Sequence, residues 1–153
     1  MANYNFRQDL VIGEKGEEVI VSDLNKFGVK LIEFNKDNRY DLLMEKDGVK
    51  VKYEVKTDVF CKPTNDTGNI FVEYECRGKN SGILVTEAKW FVTYFKHLNE
   101  IWYIKTDTLK NLIEKSHFRE TQFSGDNGSN TKGYLVPRKS LREHFIVREY
   151  GQD

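Results

Sequence analysis

Hydrophobic positions change their spacing along the chain at about residue 29. From Gly13 to Gly28, residues on one face recur every three to four positions, which is the spacing of an amphipathic helix. That face consists of Glu17, Ile20, Val21, Leu24 and Phe27. The pattern predicts a helix that ends near Gly28, because glycine is common just after helix C-termini. A strand over residues 29–34 is predicted to follow.

Further along, apolar and polar residues alternate with period two, as they do in strands with one buried face. This pattern predicts a hairpin over residues 40–56 and strands over 69–76, 90–95 and 101–105. A helical turn over 86–90, a helix from Thr106 or Asp107, a loop over 120–133, a short edge strand over 134–137 and a helical end from Ser140 complete the prediction. We therefore expect one mixed α/β (α+β) domain over residues 1–153.

The hairpin has a register that can be worked out from its turn. Asp47 and Gly48 form a dipeptide that strongly favours a two-residue turn. Pairing the strands across this turn places apolar or aromatic residues opposite each other on one face. The pairs on that face are Tyr40 with Val55, Leu42 with Tyr53, and Met44 with Val51.

The other face of the hairpin carries an unusual pair. Asp41 falls directly opposite Glu54, and Lys56 lies two residues further along on the same face. Opposed residues have Cβ atoms about 4.5–5.5 Å apart, and two like charges at that distance destabilise a sheet. A cation such as Mg²⁺, which takes carboxylate, water and phosphate oxygens, would remove the repulsion. The alternative is an ordinary solvated hairpin face, since Glu-x-Lys alone is common.

These residues resemble the motif of the PD-(D/E)XK nuclease superfamily. That motif is an acidic residue on one strand and (D/E)-x-K on the antiparallel neighbour, here Asp41 and then Glu54-Val55-Lys56 after twelve intervening residues. The residue before Asp41 is Tyr40 rather than proline. The resemblance covers residues 13–74 best and extends less closely to residue 95.

The superfamily usually adds a glutamate on its first helix, as in Holliday-junction-resolvase-like members. Residues 15–19, followed by Leu24 and Gly28, resemble that element. Glu17 is the better candidate, because it shares the face of the apolar residues. Glu18 lies about 100° away around the helix and is expected to face solvent.

The resemblance implies a restriction-endonuclease-like core, with a central mixed β-sheet flanked by helices. It also implies a metal-dependent endodeoxyribonuclease, which in some members is structure-specific. Asp41 and Glu54 would hold one or two Mg²⁺ ions, with Mn²⁺ able to substitute and the Val55 carbonyl as an extra ligand. Glu17 would bind a second metal ion or its water, and Lys56 would assist the attacking water. A homodimer is expected, because small domains of this kind often dimerise to cut two strands. A catalytically inactive nuclease fold that binds nucleic acid or acts as a scaffold is the alternative.

Charge is balanced, with 24 Lys and Arg against 24 Asp and Glu, so any DNA-binding surface must be local. Candidates for contacts with DNA are Arg77, Lys79, Lys89, Lys132 and Arg138. Each could equally be an ordinary surface charge. Glu73 either approaches the acidic pair or faces solvent, and the latter is the simpler interpretation.

The chain has no apolar run long enough to span a membrane. Its first residues also lack the layout of a signal peptide. We therefore expect a cytoplasmic protein that does not associate with membranes. The resemblance suggests an origin in a phage or a mobile element.

Overall fold

This computed structural model describes residues 6–35, 37–124 and 130–151, which contain two α-helices and ten strands. The helices are α1, Phe6–Asn25, and α2, Thr106–Lys115. The strands are β1 Lys30–Phe34, β2 Leu42–Lys46, β3 Val49–Asp58, β4 Asn69–Cys76, β5 Lys79–Asn80, β6 Trp90–Phe95, β7 Glu100–Lys105, β8 Glu120–Ser124, β9 Asn130–Pro137 and β10 Ile146–Glu149. Short 3-10 helices cover Gly82–Leu84 and Arg142–His144.

The central sheet has six strands in the order β1-β2-β3-β6-β7-β10. Strands β3 and β6 run parallel, whereas the other neighbours in this sheet run antiparallel. A smaller antiparallel sheet, in the order β5-β4-β9-β8, forms a second layer. The expected α+β architecture with a mixed central sheet flanked by helices is confirmed.

The apolar core lies on both faces of the central sheet. Helix α1 buries Ile20 and Leu24 on one face, against residues of β2, β3, β6 and β7. On the opposite face, the small sheet and α2 bury Val72, Val136 and Leu109 against β6 and β7. Among the described helices, none is long and apolar enough to cross a membrane.

Helix α1 differs from its prediction at both ends. It begins at Phe6, before the predicted start at Gly13, and ends at Asn25. Phe27, predicted to lie on the buried face, is 48% exposed because it lies beyond the last helical residue. Gly28 has a φ of 80° and is the last residue of the turn that ends the helix, as the sequence predicts.

The register of the β2–β3 hairpin is confirmed, with Leu42 opposite Tyr53 and Met44 opposite Val51. The predicted pairing of Tyr40 with Val55 is wrong. Strand β2 begins only at Leu42, and the ring of Tyr40 instead lies 4.8 Å from the Lys52 ammonium. Lys52 alternates with Tyr53 along β3, so Tyr40 has left the apolar face of the hairpin.

The predicted loop over residues 120–133 is wrong in its described parts, because β8 and β9 form a hairpin there. Residues 125–129 lie outside the described residues. Gly133 reflects packing: a Cβ at this position would lie 2.5 Å from two ring carbons of Phe71. The glycine therefore admits an aromatic ring, and β9 is a central strand of the small sheet rather than the predicted edge strand.

Two predicted helical segments are also wrong. The turn expected over residues 86–90 lies earlier, as the 3-10 helix at Gly82–Leu84. The end of the chain, from Ser140, forms a 3-10 turn and then β10, which pairs with β7 at the edge of the central sheet. Tertiary pairing decides the structure of this segment, since its local pattern is compatible with either state.

Candidate functional site

Asp41 lies where β2 and β3 separate, one residue before β2 begins. Its backbone N–H donates to the Tyr53 carbonyl at 2.9 Å, and its carboxylate Oδ2 accepts a hydrogen bond from the Val55 N–H at 2.7 Å. The Asp41 carboxylate thus accepts the hydrogen bond from Val55 that a backbone carbonyl would accept if β2 continued to pair with β3. The backbone of β3 thereby holds the carboxylate in a fixed place.

Glu54 lies on β3 between Tyr53 and Val55. Its carboxylate is held by a side chain from another part of the chain. The Thr86 hydroxyl donates to Glu54 Oε1 at 3.0 Å. The same hydroxyl lies 3.1 Å from the Arg39 carbonyl and accepts a hydrogen bond from the Ala88 N–H at 3.2 Å. Thr86 is buried. Through these hydrogen bonds it connects Glu54 to the segment that follows the 3-10 helix.

Helix α1 brings Glu17 to the same place through an unusually close approach to β3. A Cβ on Gly16 would lie 1.8 Å from the Thr57 hydroxyl oxygen, so a residue with a side chain would not fit without movement. The neighbouring Glu17 is half-buried, whereas Glu18 is exposed. The predicted difference between the two glutamates is confirmed in their orientation.

Burial raises the pKa of all three carboxyl groups, and repulsion from neighbouring carboxylates raises it further for Glu54 and Glu17. Burial is the main cause that raises the pKa of Glu54 to about 8. The charges of Asp41, Glu73 and Glu17 add to this effect, whereas the hydrogen bond from Thr86 opposes it. Burial, then the charges of Asp41 and Glu14, raises the pKa of Glu17 to about 7.

Burial likewise raises the pKa of Asp41, against the opposing effects of the Val55 N–H and the Lys56 charge. The electrostatic effect of Asp41 on both glutamates shows that the structure brings the predicted acidic residues together. A concentration of carboxyl groups with raised pKa values is typical of functional sites.

Lys56 lies on the same face of β3 as Glu54 and is exposed. Its positive charge lowers the pKa of Asp41, so its ammonium group is close enough to act on this carboxylate. Among the described residues, Lys56 forms no ion pair. The ammonium group is therefore available to a bound molecule.

The donor atoms at this site suit a hard cation. Within the described ranges, no three His, Cys, Asp or Glu residues are placed to hold one metal ion together. Asp41 and Glu54 alone satisfy what Mg²⁺ usually takes from a protein, namely one or two carboxylates.

Each of the two carboxylates keeps one oxygen free for a cation. Asp41 Oδ2 and Glu54 Oε1 accept hydrogen bonds, and their second oxygens accept none from the described residues. The N–H and C=O of a strand residue leave the strand on the same side, so the Val55 carbonyl also points to the side where Asp41 lies. Protein donors that orient metal-binding carboxylates in this way are common around metal sites.

Four of the predicted DNA-contacting residues lie at the surface. Arg77 and Lys79 are exposed at the turn between β4 and β5, where Arg77 has a φ of 54°. Lys89 is exposed just before β6. Lys132 on β9 pairs with Glu75 at 3.3 Å and is 41% exposed.

Arg138 is the exception, and its predicted contact with DNA is wrong. Its side chain is 1% exposed, and its guanidinium donates to Asp66 Oδ2 at 2.6 Å and to the Asn69 carbonyl at 2.8 Å. The guanidinium also lies 4.2 Å from the centre of the Phe95 ring. In the sequence, a buried arginine beside other basic residues cannot be distinguished from a surface cluster.

Thr86 was not expected at the site, and for Glu73 the simpler interpretation of the sequence, a solvent-facing side chain, is wrong. Thr86 stands alone in its segment, and nothing in the sequence pattern connects it with Glu54. Glu73 on β4 raises the pKa of Glu54, so it approaches the acidic pair instead of facing away from it. Alternation along β4 leaves both orientations open, and only the packing of the small sheet decides between them.

Comparisons with known proteins concern the fold. The sequence matches no protein-family model and no curated protein. A solved structure of a bacterial homing endonuclease, I-Ssp6803I, is similar to this chain, with a TM-score of 0.50 and 19% sequence identity. The similarity covers 64% of this chain and 69% of that one. At this identity it describes architecture alone, and the architecture of this chain is nuclease-like.

Proposed function

We propose that this protein is a metal-dependent endodeoxyribonuclease that hydrolyses DNA phosphodiester bonds. The observation that carries the proposal is the arrangement of Asp41 and Glu54, two close carboxylates that are each held by one oxygen and destabilised as anions. A divalent cation relieves that destabilisation, and the exposed ammonium of Lys56 lies beside the pair. The similarity of the fold to that of a homing endonuclease supports DNA as the substrate.

Asp41, Glu54 and the Val55 carbonyl would hold Mg²⁺ or Mn²⁺ beside β3, where β2 begins. A cation bound there would lower the pKa of a water molecule and polarise the phosphodiester. Phosphate oxygens and water would complete its coordination, as is usual for Mg²⁺. Thr86 acts through Glu54, since its hydroxyl orients the carboxylate and is not itself a ligand.

Lys56 and Glu17 would act on the attacking water and on the phosphate. The Lys56 ammonium can orient the water or stabilise the negative charge that develops on the phosphate. Glu17, with a pKa near 7, can accept a hydrogen bond or a proton from a water molecule at the edge of the site. A second cation at Glu17 is the alternative role for this residue.

Arg77, Lys79, Lys89 and Lys132 would contact phosphates on either side of the site. Phosphate contacts position DNA without reading its sequence. A homodimer would bring two such sites to the two strands of a duplex.

A second candidate function is DNA binding without cleavage, by a nuclease fold that acts as a scaffold. It is favoured by one observation: no group of three metal-binding side chains is assembled within the described residues. Intact Asp41, Glu54 and Lys56 favour catalysis instead.

Cleavage assays decide between these functions. Purified protein is incubated with supercoiled plasmid, single-stranded DNA and a four-way junction, in Mg²⁺, Mn²⁺ or EDTA. We expect metal-dependent cleavage that falls at least about a hundredfold in Asp41→Asn, Glu54→Gln and Lys56→Ala, because these residues act as a unit on the reacting groups.

Matched controls come from the same elements. The control substitutions are Glu18→Gln, at the residue next to Glu17, and Glu45→Gln and Lys50→Ala. Glu45 and Lys50 pair near the turn of the β2–β3 hairpin, away from the site. All three should cleave like the unmodified protein. Equal activity of Asp41→Asn and Glu45→Gln would disprove the site, and DNA binding with no cleavage in any metal would support the second function.

A further inference from the structure

Phe60 is the most exposed of the large hydrophobic side chains described, with 79% of its surface accessible. It lies in the segment of residues 59–68 that connects β3 to β4, six residues after Glu54. A single exposed apolar residue needs no special explanation. Phe60 differs from such residues because it lies close to the candidate site and its surroundings are rigid.

The backbone around Phe60 is fixed from β3. Asp58, the last residue of β3, accepts hydrogen bonds on Oδ1 from the N–H groups of Phe60 at 2.8 Å and Cys61 at 2.9 Å. Cys61 is buried in the core beneath the segment. The two neighbours therefore point in opposite directions, and the buried cysteine keeps the phenylalanine turned outward.

The far end of the segment is held by a buried ion pair. Asp66 binds the Arg138 guanidinium at 2.6 Å and accepts a hydrogen bond from the Gly68 N–H at 2.9 Å. Because both ends are anchored, little conformational entropy would be lost when the Phe60 ring engages a ligand.

Lysines precede and follow Phe60 in the chain, and a third lies beside the end of β3. Lys56, Lys62 and Lys96 are exposed, and none forms an ion pair with another described residue. Lys96 is brought to the end of β3 by a hydrogen bond from its N–H to the Asp58 carbonyl, at 3.1 Å. An exposed aromatic ring among unpaired lysines is typical of nucleic-acid-binding surfaces, where bases stack and phosphates bind cations.

The distance to the candidate site can be bounded from the chain itself. Phe60 lies four positions after Lys56, so their Cα atoms are at most about 14 Å apart. A DNA strand advances about 3.4 Å per nucleotide in a duplex. The ring of Phe60 is therefore within reach of bases up to about four nucleotides from a phosphate at Lys56.

We infer that Phe60 stacks on a nucleobase of the DNA substrate close to the bond that is cut, with Lys62 and Lys96 binding the adjoining phosphates. This inference rests on the proposed function and adds a contact to the base, which the acidic pair cannot supply. The ring either inserts between two base pairs, as apolar wedges do, or stacks on a base that is already unpaired.

A second copy of the chain is a less suitable occupant of this surface. In a symmetric dimer the same patch meets itself, which would bring three lysines of one copy against three of the other. A stable dimer also buries about 800 Å² per partner, whereas the apolar part of this surface is one ring. Phosphate is the partner that matches its charge.

Binding measurements test the contact on Phe60→Ala, Phe60→Tyr and a matched control. Val49→Ala is the control, because Val49 is 62% exposed at the opposite end of the same strand. Fluorescence anisotropy in Ca²⁺ would be recorded with a labelled duplex, a single strand and a four-way junction. We expect Phe60→Ala to weaken binding about 5- to 100-fold, the range for loss of one stacked base, whereas Phe60→Tyr and Val49→Ala bind like the unmodified protein.

Tryptophan substitution reports stacking directly. The fluorescence of Phe60→Trp should be quenched when DNA is added, in excess of the change seen for Val49→Trp, which controls for the natural Trp90 and Trp102. Unchanged affinity of Phe60→Ala, with cleavage by the unmodified protein intact, would overturn this inference and leave the proposed function standing. Loss of dimerisation in Phe60→Ala, seen by sedimentation without DNA, would also overturn it. If the unmodified protein neither bound nor cleaved DNA, both this inference and the proposed function would be overturned.

Discussion

Burial opposes the ionisation of the carboxyl groups of Glu17, Asp41 and Glu54, which meet beside β3 where β2 begins. Each is partly withdrawn from water, and repulsion from Asp41 raises the pKa of both glutamates. Hydrogen bonds from Val55 and Thr86 offset part of this effect at Asp41 and Glu54. The site is therefore under electrostatic strain, and the strain depends on pH and on bound cations.

Stability without metal should fall as the pH rises. A carboxyl with a pKa above its unfolded value binds its proton more tightly in the folded state, so its contribution is complete below about pH 4.5 and is lost as the pH rises through the folded value. For Glu17 and Glu54 these values are about 7 and about 8. In EDTA, the free energy of unfolding measured with urea should be lower at pH 8.5 than at pH 6.

Comparison of variants isolates the contribution of the site. Glu54→Gln removes the main ionisation and should flatten the decline between pH 6 and pH 8.5. Glu18→Gln, which changes an exposed neighbour of Glu17, should keep it. Equal pH dependence in all three proteins would show that the decline arises elsewhere.

Among the elements, α1 and β3 determine where the acidic residues meet. The helix approaches the strand at Gly16, where the Thr57 hydroxyl occupies the space of a Cβ. The segment between β3 and β4 then continues from the same strand and is anchored by the buried Arg138–Asp66 pair. One strand thus carries Glu54 and Lys56, receives α1, and positions Phe60.

Two glycines of α1 make this packing testable. A Cβ on Gly13 meets nothing within 4 Å, whereas one on Gly16 collides with Thr57. We expect Gly13→Ala to stabilise the protein by about 0.5–1 kcal/mol, because alanine favours a helix. Gly16→Ala should destabilise it by about 1–3 kcal/mol through overpacking and should lower DNA cleavage by moving Glu17.

Urea denaturation and the cleavage assay measure both effects. Thr57→Ala removes the hydroxyl that a Cβ on Gly16 would meet, so it should restore much of the stability of Gly16→Ala in the double variant. The same stability change in Gly13→Ala and Gly16→Ala would contradict the close approach of α1 to β3.

For the whole molecule, the six-stranded sheet places the acidic site where β2 begins beside β3, between the layer of α1 and the layer of the small sheet. Glu54 receives Thr86 and the influence of Glu73 from the second layer, and Glu17 approaches from the first. A change in charge at the site therefore affects both interfaces of the central sheet.

Binding of a divalent cation should consequently stabilise the entire fold. At a concentration 100 times its dissociation constant, a ligand specific for the folded state adds about 2.7 kcal/mol, which raises the Tm of a protein of this size by roughly 5–10 °C. Thermal denaturation in Mg²⁺, Mn²⁺ and EDTA measures this shift. Asp41→Asn should lose most of it, Glu45→Gln should keep it, and an equal shift in both would place the cation elsewhere.

The amino-acid sequence determined by itself the features that depend on near neighbours. The turn at Asp47 and Gly48, together with period two, sets the β2–β3 register, which brings Asp41 close to Glu54 and Lys56. The helical period likewise separates Glu17 from Glu18. These interactions join residues a few positions apart, or residues linked by one tight turn.

Only the tertiary structure decided the partners that come from distant parts of the chain. The contact of Thr86 with Glu54, the burial of Arg138 against Asp66, and the pairing of β10 with β7 all cross 30 residues or more. Local pattern carries no information on such contacts, because a threonine, an arginine or a short apolar run is equally compatible with solvent. Burial in one shared core selects among these possibilities.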